Sequence, residues 1–149
     1  MNIKDFKYAW RFTDINYAQF SDSELSEIEI VTSAKANKMW DSVCENPIIQ
    51  KCTTMIDRIV SRTLPIFIGN CGWGEDDKEE STRYMLESIL VKENTASITV
   101  MYDRESAITV SANLFVNKWS DFCYPSDTLI LFFNHRCLLY YEDTIYYLN

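Results

Sequence analysis

The apolar residues of this chain follow two different periods, one in each half. Up to about position 92 they recur every three or four residues, which is the spacing of one face of an α-helix. From position 96 they alternate with polar residues, as in a β-strand with one buried face. The pattern predicts an α+β fold, in which a mostly helical N-terminal half packs on an antiparallel sheet from the C-terminal half.

Two consecutive helices are predicted between positions 32 and 65. Thr32 and Ser33 can cap the first, which ends near Asn46, and Pro47 suits the first turn of the second, which Pro65 stops. The inward stripe of the first comprises Ala36, Met39, Trp40, Val43 and Cys44, and that of the second Ile48, Ile49, Cys52, Met55, Ile56, Ile59 and Val60. Both stripes are uninterrupted by polar groups, so they indicate core rather than a cofactor site.

A glycine-rich loop at 69–77 separates these helices from a third. Its three glycines lie around Trp73, which predicts a backbone with positive φ or close packing, and the spacing matches no nucleotide-binding motif. Ile66–Ile68 before it could be a short strand. The third helix opens with Asp76 or Asp77 as its cap and ends by Lys92. Its buried face is Thr82, Met85, Leu86, Ile89 and Leu90.

The first 28 residues carry weaker signals. Tyr8, Trp10 and Phe12 alternate along residues 7–12, which predicts a short half-buried strand. Ser21 or Asp22 can then cap a short helix whose inward pair is Leu25 and Ile28.

The C-terminal half is predicted to form the sheet. Residues 97–111 indicate a β-hairpin, and residues 128–133, apolar on both faces, indicate a central strand followed by strands at 137–141 and 145–148. Phe115, Trp119 and Phe122 share one face of a short helix, and Pro125 ends it within an aromatic turn at 119–127. No linker divides the chain, so we expect one domain over residues 1–149.

Composition and charge narrow the classes of function. Of the 149 residues 47% are hydrophobic, and 22 acidic against 14 basic side chains give a net charge of −8. Such a surface repels phosphate backbones and anionic lipid, so we expect neither a nucleic-acid nor a membrane partner, although moderate acidity also simply favours solubility. No apolar run approaches the length of a membrane span, and the N-terminal residues are charged, which predicts a cytoplasmic protein.

Catalytic and metal-binding patterns are missing from the sequence. Five cysteines without paired spacing and a single histidine fit reduced buried thiols, and they predict neither a metal site nor a cofactor. A hydrolase would have to use Cys71 or Cys123 with His135, which is expected in an exposed turn. We therefore expect a protein that is not an enzyme.

Binding remains as the expected activity. From Glu93 onward the chain carries seven acids, Glu93 included, against three bases together with many tyrosines, a combination that can engage a basic protein. An alternative is an adaptor or assembly subunit recruited through the tyrosine-rich C-terminal strands as an exposed sheet edge.

The string Trp119-Ser-Asp-Phe-Cys-Tyr-Pro-Ser-Asp127, the apolar strand after it and Leu139-Tyr-Tyr-Glu-Asp143 resemble bacterial immunity proteins encoded beside polymorphic toxins, including those of contact-dependent growth inhibition. The resemblance covers roughly the last 40 residues, and more loosely the helix containing Trp40. It implies a cytoplasmic, non-enzymatic protein that neutralises the C-terminal toxin domain, commonly a nuclease, of a cognate effector. No binding residue carries over by motif. Predicted exposure and charge give the candidates Trp73, Glu75, Asp76, Asp77, Asp103, Glu105, Glu142 and Asp143.

Overall fold

The computed structural model describes residues 2–44 and 66–148. After a 3-10 turn at Ile3–Asp5, the described helices are α1 (Trp10–Thr13), α2 (Asp22–Ser26), α3 (Ser33–Cys44), α4 (Asp76–Lys92), α5 (Ala112–Asn117) and α6 (Trp119–Phe122). The strands are β1 (Glu29–Val31), β2 (Ile66–Asn70), β3 (Ser97–Met101), β4 (Ala107–Ser111), β5 (Thr128–Phe133), β6 (Arg136–Tyr141) and β7 (Thr144–Leu148).

All seven strands join one antiparallel sheet in the order β1-β4-β3-β5-β6-β7-β2. The five strands of the C-terminal half fill its middle, and the two strands of the N-terminal half pair at its edges. The predicted α+β fold is therefore confirmed. The sheet itself is wider than predicted, because β1 was not foreseen and β2 adds a strand beside β7.

The sheet is covered on both faces, which explains its most apolar strand. Along β5, Leu129, Leu131 and Phe133 face the larger core with Phe115, Trp119 and Phe122, whereas Ile130 faces a second core with Trp40 of α3. A strand buried on both sides has to be apolar at successive positions. The predicted central place of β5 is confirmed, since three strands lie on each side of it.

The predicted strand at residues 7–12 is wrong, because the chain forms turns and then the single helical turn α1 there. In a strand, Arg11 and Phe12 would point to opposite faces. The structure instead buries both, with Arg11 6% and Phe12 1% exposed, and turns Trp10 outward at 40% exposure. Arg11 tolerates this burial because a carboxylate from the other half of the chain neutralises it, a contact that local alternation cannot indicate.

The predicted N-terminal caps of three helices can be checked against their hydrogen bonds. At α2 the predicted cap is confirmed: Ser21 Oγ accepts from Glu24 N at 3.1 Å, and Glu24 Oε1 accepts from Ser21 N at 2.9 Å. Before α3, Thr32 Oγ1 accepts from Lys35 N at 3.3 Å, which fits the predicted cap. At α4 the predicted aspartate caps are wrong. Glu75 holds the cap position without a side-chain bond there, and Glu79 Oε1 accepts from Gly74 N at 2.8 Å.

The remaining local predictions concern the inward faces of α3 and α4, the glycine loop and the helix between Pro47 and Pro65. The inward faces of α3 and α4 are confirmed at Ala36, Trp40, Thr82, Leu86 and Leu90, all of which are buried. The positive φ expected in the glycine loop occurs at Gly72 and Gly74. The helix predicted to start at Pro47, and its stop at Pro65, lie outside the described residues.

Candidate protein-binding surface

Four loops meet at one end of the sheet. Antiparallel pairing of Met101 with Ile130, of Thr128 with Tyr141, and of Thr144 with Asn70 brings together residues 102–106, 123–127, 142–143 and 71–75. We call this group of loops and the first turn of α4 that follows them the acidic end. All eight predicted binding residues belong to it, although the sequence placed them in three separate segments.

Trp73 and Asp143 connect two of these loops. Trp73 N donates to Asp143 Oδ2 at 3.2 Å, and Cys71 N donates to Asp143 O at 2.8 Å. Asp143 Oδ1 also accepts from Tyr140 Oη at 3.0 Å. The Asp143 carboxylate is therefore occupied in holding loop 71–75 against the β6–β7 turn, whereas the Trp73 ring remains 41% exposed.

Asp103 has a similar internal role in the β3–β4 loop. Its Oδ2 accepts from Lys7 Nζ at 3.0 Å and from Tyr8 Oη at 2.8 Å, and its Oδ1 accepts from Glu105 N at 2.9 Å. Burial acts to raise the pKa of Asp103, but these hydrogen bonds together outweigh it, so the pKa is lowered and the side chain stays ionised. Asp103 thus attaches the N-terminal segment rather than presenting a free charge.

The other predicted carboxylates are available at the surface. Glu75, Asp76, Asp77, Glu105 and Glu142 are all exposed. Glu75 forms an ion pair with Lys78 at 3.1 Å, and the other four form no ion pair with any residue that the structure describes. The candidates therefore divide into two internal aspartates, five exposed acids and one exposed tryptophan.

Beneath the acidic end lies a buried ion pair that sequence reasoning missed. Arg11 Nη1 and Nη2 donate to the two Asp127 carboxylate oxygens at 2.7 and 2.5 Å, and Asp127 Oδ2 also accepts from Tyr124 N at 2.7 Å. The Arg11 guanidinium lies 4.4 Å from the Tyr124 ring centroid and 4.7 Å from that of Tyr102. This cluster fixes α1 against the turn that precedes β5.

Over this ion pair lies a row of aromatic side chains, which we call the aromatic surface: Trp10, Tyr17, Trp73 and Tyr124. Ring centroids are separated by 4.7 Å for Trp10–Tyr17, 6.3 Å for Trp10–Tyr124 and 6.0 Å for Trp73–Tyr124. Trp10, Tyr17 and Trp73 are 40%, 55% and 41% exposed. Only Trp73 was predicted, since the sequence placed Trp10 on the inward side of a strand. No period of the sequence could have found it, because α1 ends at Thr13 and Tyr17 lies in the turn that follows.

The thiols and the imidazole that a hydrolase would have to use are not brought together. His135 lies in the β5–β6 turn, whereas Cys71 and Cys123 lie at the acidic end, separated from it by the length of β5, about 20 Å. Burial raises the pKa of Cys71 to about 12 and also raises that of Cys123. Both side chains are therefore neutral thiols near pH 7, and neither has His135 as a base.

Neither a cluster of metal ligands nor a helix suited to a membrane occurs in residues 2–44 and 66–148. In that part of the chain no three histidine, cysteine, aspartate or glutamate side chains converge as they would around a metal ion. None of the helices described there combines the length and the apolar character that crossing a bilayer requires.

Comparison with models of protein families gives a match over almost the whole chain. The model of a family described as "Protein of unknown function (DUF2947)" matches residues 1–147. Neither a curated protein nor a solved structure matches the chain.

Proposed function

The chain belongs to the DUF2947 family, and we propose that it acts by binding a basic protein and not by catalysis. The observation that carries this proposal is the acidic end itself. Exposed carboxylates from three separate segments lie at this one end of the sheet, together with the exposed ring of Trp73. An interface of this composition uses aromatic anchors for affinity and surrounding charges for steering and register.

The distribution of cations supports a basic partner. At this end of the molecule Lys7, Arg11, Lys78 and Arg104 are each paired with a carboxylate of the same chain. Their charges are therefore compensated internally, while Asp76, Asp77, Glu105 and Glu142 add negative charge. A surface of this sign attracts a positively charged protein and repels nucleic acid.

In its specific form, the proposed function is neutralisation of a toxin domain inside the producing cell. The resemblance of the last 40 residues to immunity proteins supports this form, and so does the charge. A nuclease toxin must itself be basic in order to hold its polyanionic substrate. An acidic protein that covers such a surface would exclude that substrate.

The test is co-expression with the product of the adjacent gene. We expect the neighbour to be lethal alone, harmless with this chain, and bound to it one to one. Glu105→Lys combined with Glu142→Lys should weaken that complex about tenfold or more, because two attractive contacts become repulsive. The matched control is Glu29→Lys with Glu87→Lys, the same charge change at exposed residues away from the acidic end. A neighbour that is harmless alone, or equally lethal in the presence of this chain, would refute toxin neutralisation.

A further inference from the structure

We infer that the aromatic surface is the anchor of this interface and that it takes an arginine-bearing segment of the partner protein. This inference rests on the proposed function and specifies the partner's side-chain chemistry. Among the eight binding residues predicted from the sequence, Trp73 was the one aromatic side chain. The structure extends the row of rings from Trp73 through Tyr124 to Trp10 and Tyr17.

The rings of the aromatic surface are both exposed and held rigidly. Large rings that are 40–55% exposed and in mutual contact are uncommon on an unoccupied surface, whereas tryptophan and tyrosine are enriched at binding hot spots. Trp73 is held in place by its Nε1, which donates to Ser120 O at 2.8 Å. Trp10 and Tyr17 form an edge-to-face pair with 65° between their planes. The rings are therefore fixed before binding, which reduces the entropy lost on association.

Arg11 contacts the same rings from within the chain. Its guanidinium already lies against two of these rings, 5.3 Å from the Trp10 centroid and 4.4 Å from the Tyr124 centroid. The chain thus shows that this arrangement of rings accommodates a planar cation at cation–π distance. Asp127 neutralises Arg11 with two hydrogen bonds, so the internal cation leaves little positive charge to repel a second one outside.

Two acidic residues, Asp14 and Asp121, neighbour residues of the aromatic surface. Asp14 lies between Trp10 and Tyr17, with its N donating to Trp10 O and its O accepting from Tyr17 N. Asp121 follows Ser120, the residue that holds the Trp73 ring. Burial is the largest influence on the pKa of Asp121 and raises it; Lys118 lowers it in part, and Glu79 and Glu24 raise it further, so that the pKa is raised overall. Its ionised form is therefore disfavoured in the free protein, and an incoming cation would relieve that cost.

These features favour arginine over other side chains. A phosphorylated or acidic segment would be repelled by Asp14 and Asp121, and a purely apolar segment would desolvate both carboxylates without supplying a cation. Arginine stacks its planar guanidinium on aromatic faces and also donates hydrogen bonds to carboxylates, whereas the lysine ammonium is a more strongly hydrated point charge.

The experiment uses the full chain and three eight-residue peptides, acetylated and amidated, in which glycine alternates with arginine, lysine or glutamate. Binding is followed by the indole N–H signals of the tryptophans in ¹⁵N-labelled protein and by calorimetry. We expect the arginine peptide to bind most tightly and to shift the signals of Trp10 and Trp73. Trp40 and Trp119, which are 6% and 1% exposed, should not shift.

Substitutions separate anchoring by the rings from general attraction to an acidic protein. Tyr17→Ala and Trp10→Ala should each weaken binding of the arginine peptide about tenfold, which corresponds to about 1.4 kcal/mol. Tyr84→Ala is the matched control, because Tyr84 is 61% exposed on α4 and lies outside the aromatic surface. Tyr17→Ala keeps the test valid if Trp10→Ala fails to fold, and circular dichroism checks both variants.

Several results would overturn the inference. Equal binding of the arginine and lysine peptides, equal effects of Tyr17→Ala and Tyr84→Ala, or unshifted Trp10 and Trp73 signals would each show general electrostatic attraction. Self-association that Tyr17→Ala abolishes would show that a second copy of the chain covers the rings. If the toxin complex forms and Tyr17→Ala leaves it intact, the inference fails and the proposed function stands. If the peptide binds as expected but no toxin is neutralised, the aromatic surface still binds arginine and the proposed toxin neutralisation fails.

Discussion

At the scale of single residues, Arg11 shows how one distant partner overrides a local pattern. Tyr8, Trp10 and Phe12 alternate as they would in a strand, yet Arg11 lies buried next to Phe12 in a helical turn. Asp127, 116 positions later in the chain, supplies the compensating charge. A buried guanidinium without that partner would cost several kcal/mol, so the contact decides the conformation of the segment that contains it.

The same pair makes a stability prediction. Asp127→Asn should lower the free energy of unfolding by about 3 kcal/mol, because it leaves the Arg11 charge buried and uncompensated. The two side chains are only 7% and 11% exposed. Urea titration followed by circular dichroism measures the loss.

Glu75→Gln is the control for that measurement. It breaks the Lys78–Glu75 pair, whose side chains are 63% and 60% exposed, and should cost under about 1 kcal/mol. Similar losses in the two variants would show that the Arg11–Asp127 pair contributes no more than a surface pair does.

Asp121 makes a prediction about pH. Its folded-state pKa is raised, chiefly by burial, so folding stabilises the neutral form of its carboxyl group relative to the ionised form. The stability that this preference contributes is present below the unfolded pKa, about 4, and is lost as the pH rises through the folded pKa. Asp121→Asn should therefore be more stable than the natural chain at pH 7 and equal to it near pH 3. Thermal unfolding at both pH values checks this.

The same substitution should weaken binding of the arginine peptide at pH 7. A carboxylate that serves recognition is expected to behave in this way, with its removal raising the stability of the fold and lowering the affinity for the peptide. If Asp121→Asn were less stable than the natural chain at pH 7, the carboxylate would instead contribute to the fold.

At the scale of elements, the loop between β2 and α4 positions Trp73 through its two flanking glycines. Gly72 and Gly74 have φ values of 69° and 80°, which favour glycine. A Cβ on Gly72 would lie 2.2 Å from Lys78 Cβ, whereas a Cβ on Gly74 would meet nothing within 4 Å. The first glycine is therefore required by both conformation and packing, and the second by conformation alone.

This difference predicts unequal costs for two similar substitutions. Gly74→Ala should destabilise the protein by about 1 kcal/mol, the cost of a positive φ at alanine. Gly72→Ala adds the overlap with α4 and should cost about 1–3 kcal/mol more. It should also alter the Trp73 indole N–H signal, since the backbone between β2 and Trp73 must move. Chemical denaturation of both variants gives the comparison, and equal costs would mean that α4 shifts freely.

The strands show which element predictions local sequence supports. β5, β6 and the hairpin β3–β4 were recognisable from their own alternation and turns. β1 was not, because three residues show no period and its pairing with β4 is a long-range contact. The tyrosine-rich strand β7 was expected at an exposed edge, and this is wrong, because β2 pairs with its outer side. Recruitment of an assembly partner through that edge therefore loses its structural basis.

At the scale of the whole molecule, the two halves of the chain are interleaved. The N-terminal half supplies both edge strands, and Phe12 packs against Phe122 with ring centroids 5.3 Å apart. Lys118 Nζ also donates to Gln19 O at 2.9 Å. Contacts of this kind make the stability of each half depend on the other.

We therefore expect one cooperative unfolding transition over residues 1–149. Tryptophan fluorescence and far-ultraviolet circular dichroism should give coincident midpoints in urea. Deletion of residues 2–28 should abolish that transition, because it uncovers Phe122 and removes the partner of Asp127. Two separate transitions, or a truncated chain that still unfolds cooperatively, would indicate that the C-terminal half folds independently.

The sequence by itself determined the elements whose signals are local: the capped α2, the amphipathic α3 and α4, the hairpins, the apolar β5 and the excess of acidic residues. Periodicity, capping and turn chemistry act over a few residues, so they can be read in order along the chain. Only the tertiary structure decided that three acidic segments share one end of the sheet, that Asp103 and Asp143 are occupied internally, and that Trp10 and Tyr17 extend the surface of Trp73. Those outcomes depend on strand pairing and on the burial of Arg11 against Asp127, contacts between residues far apart in sequence that leave no local pattern.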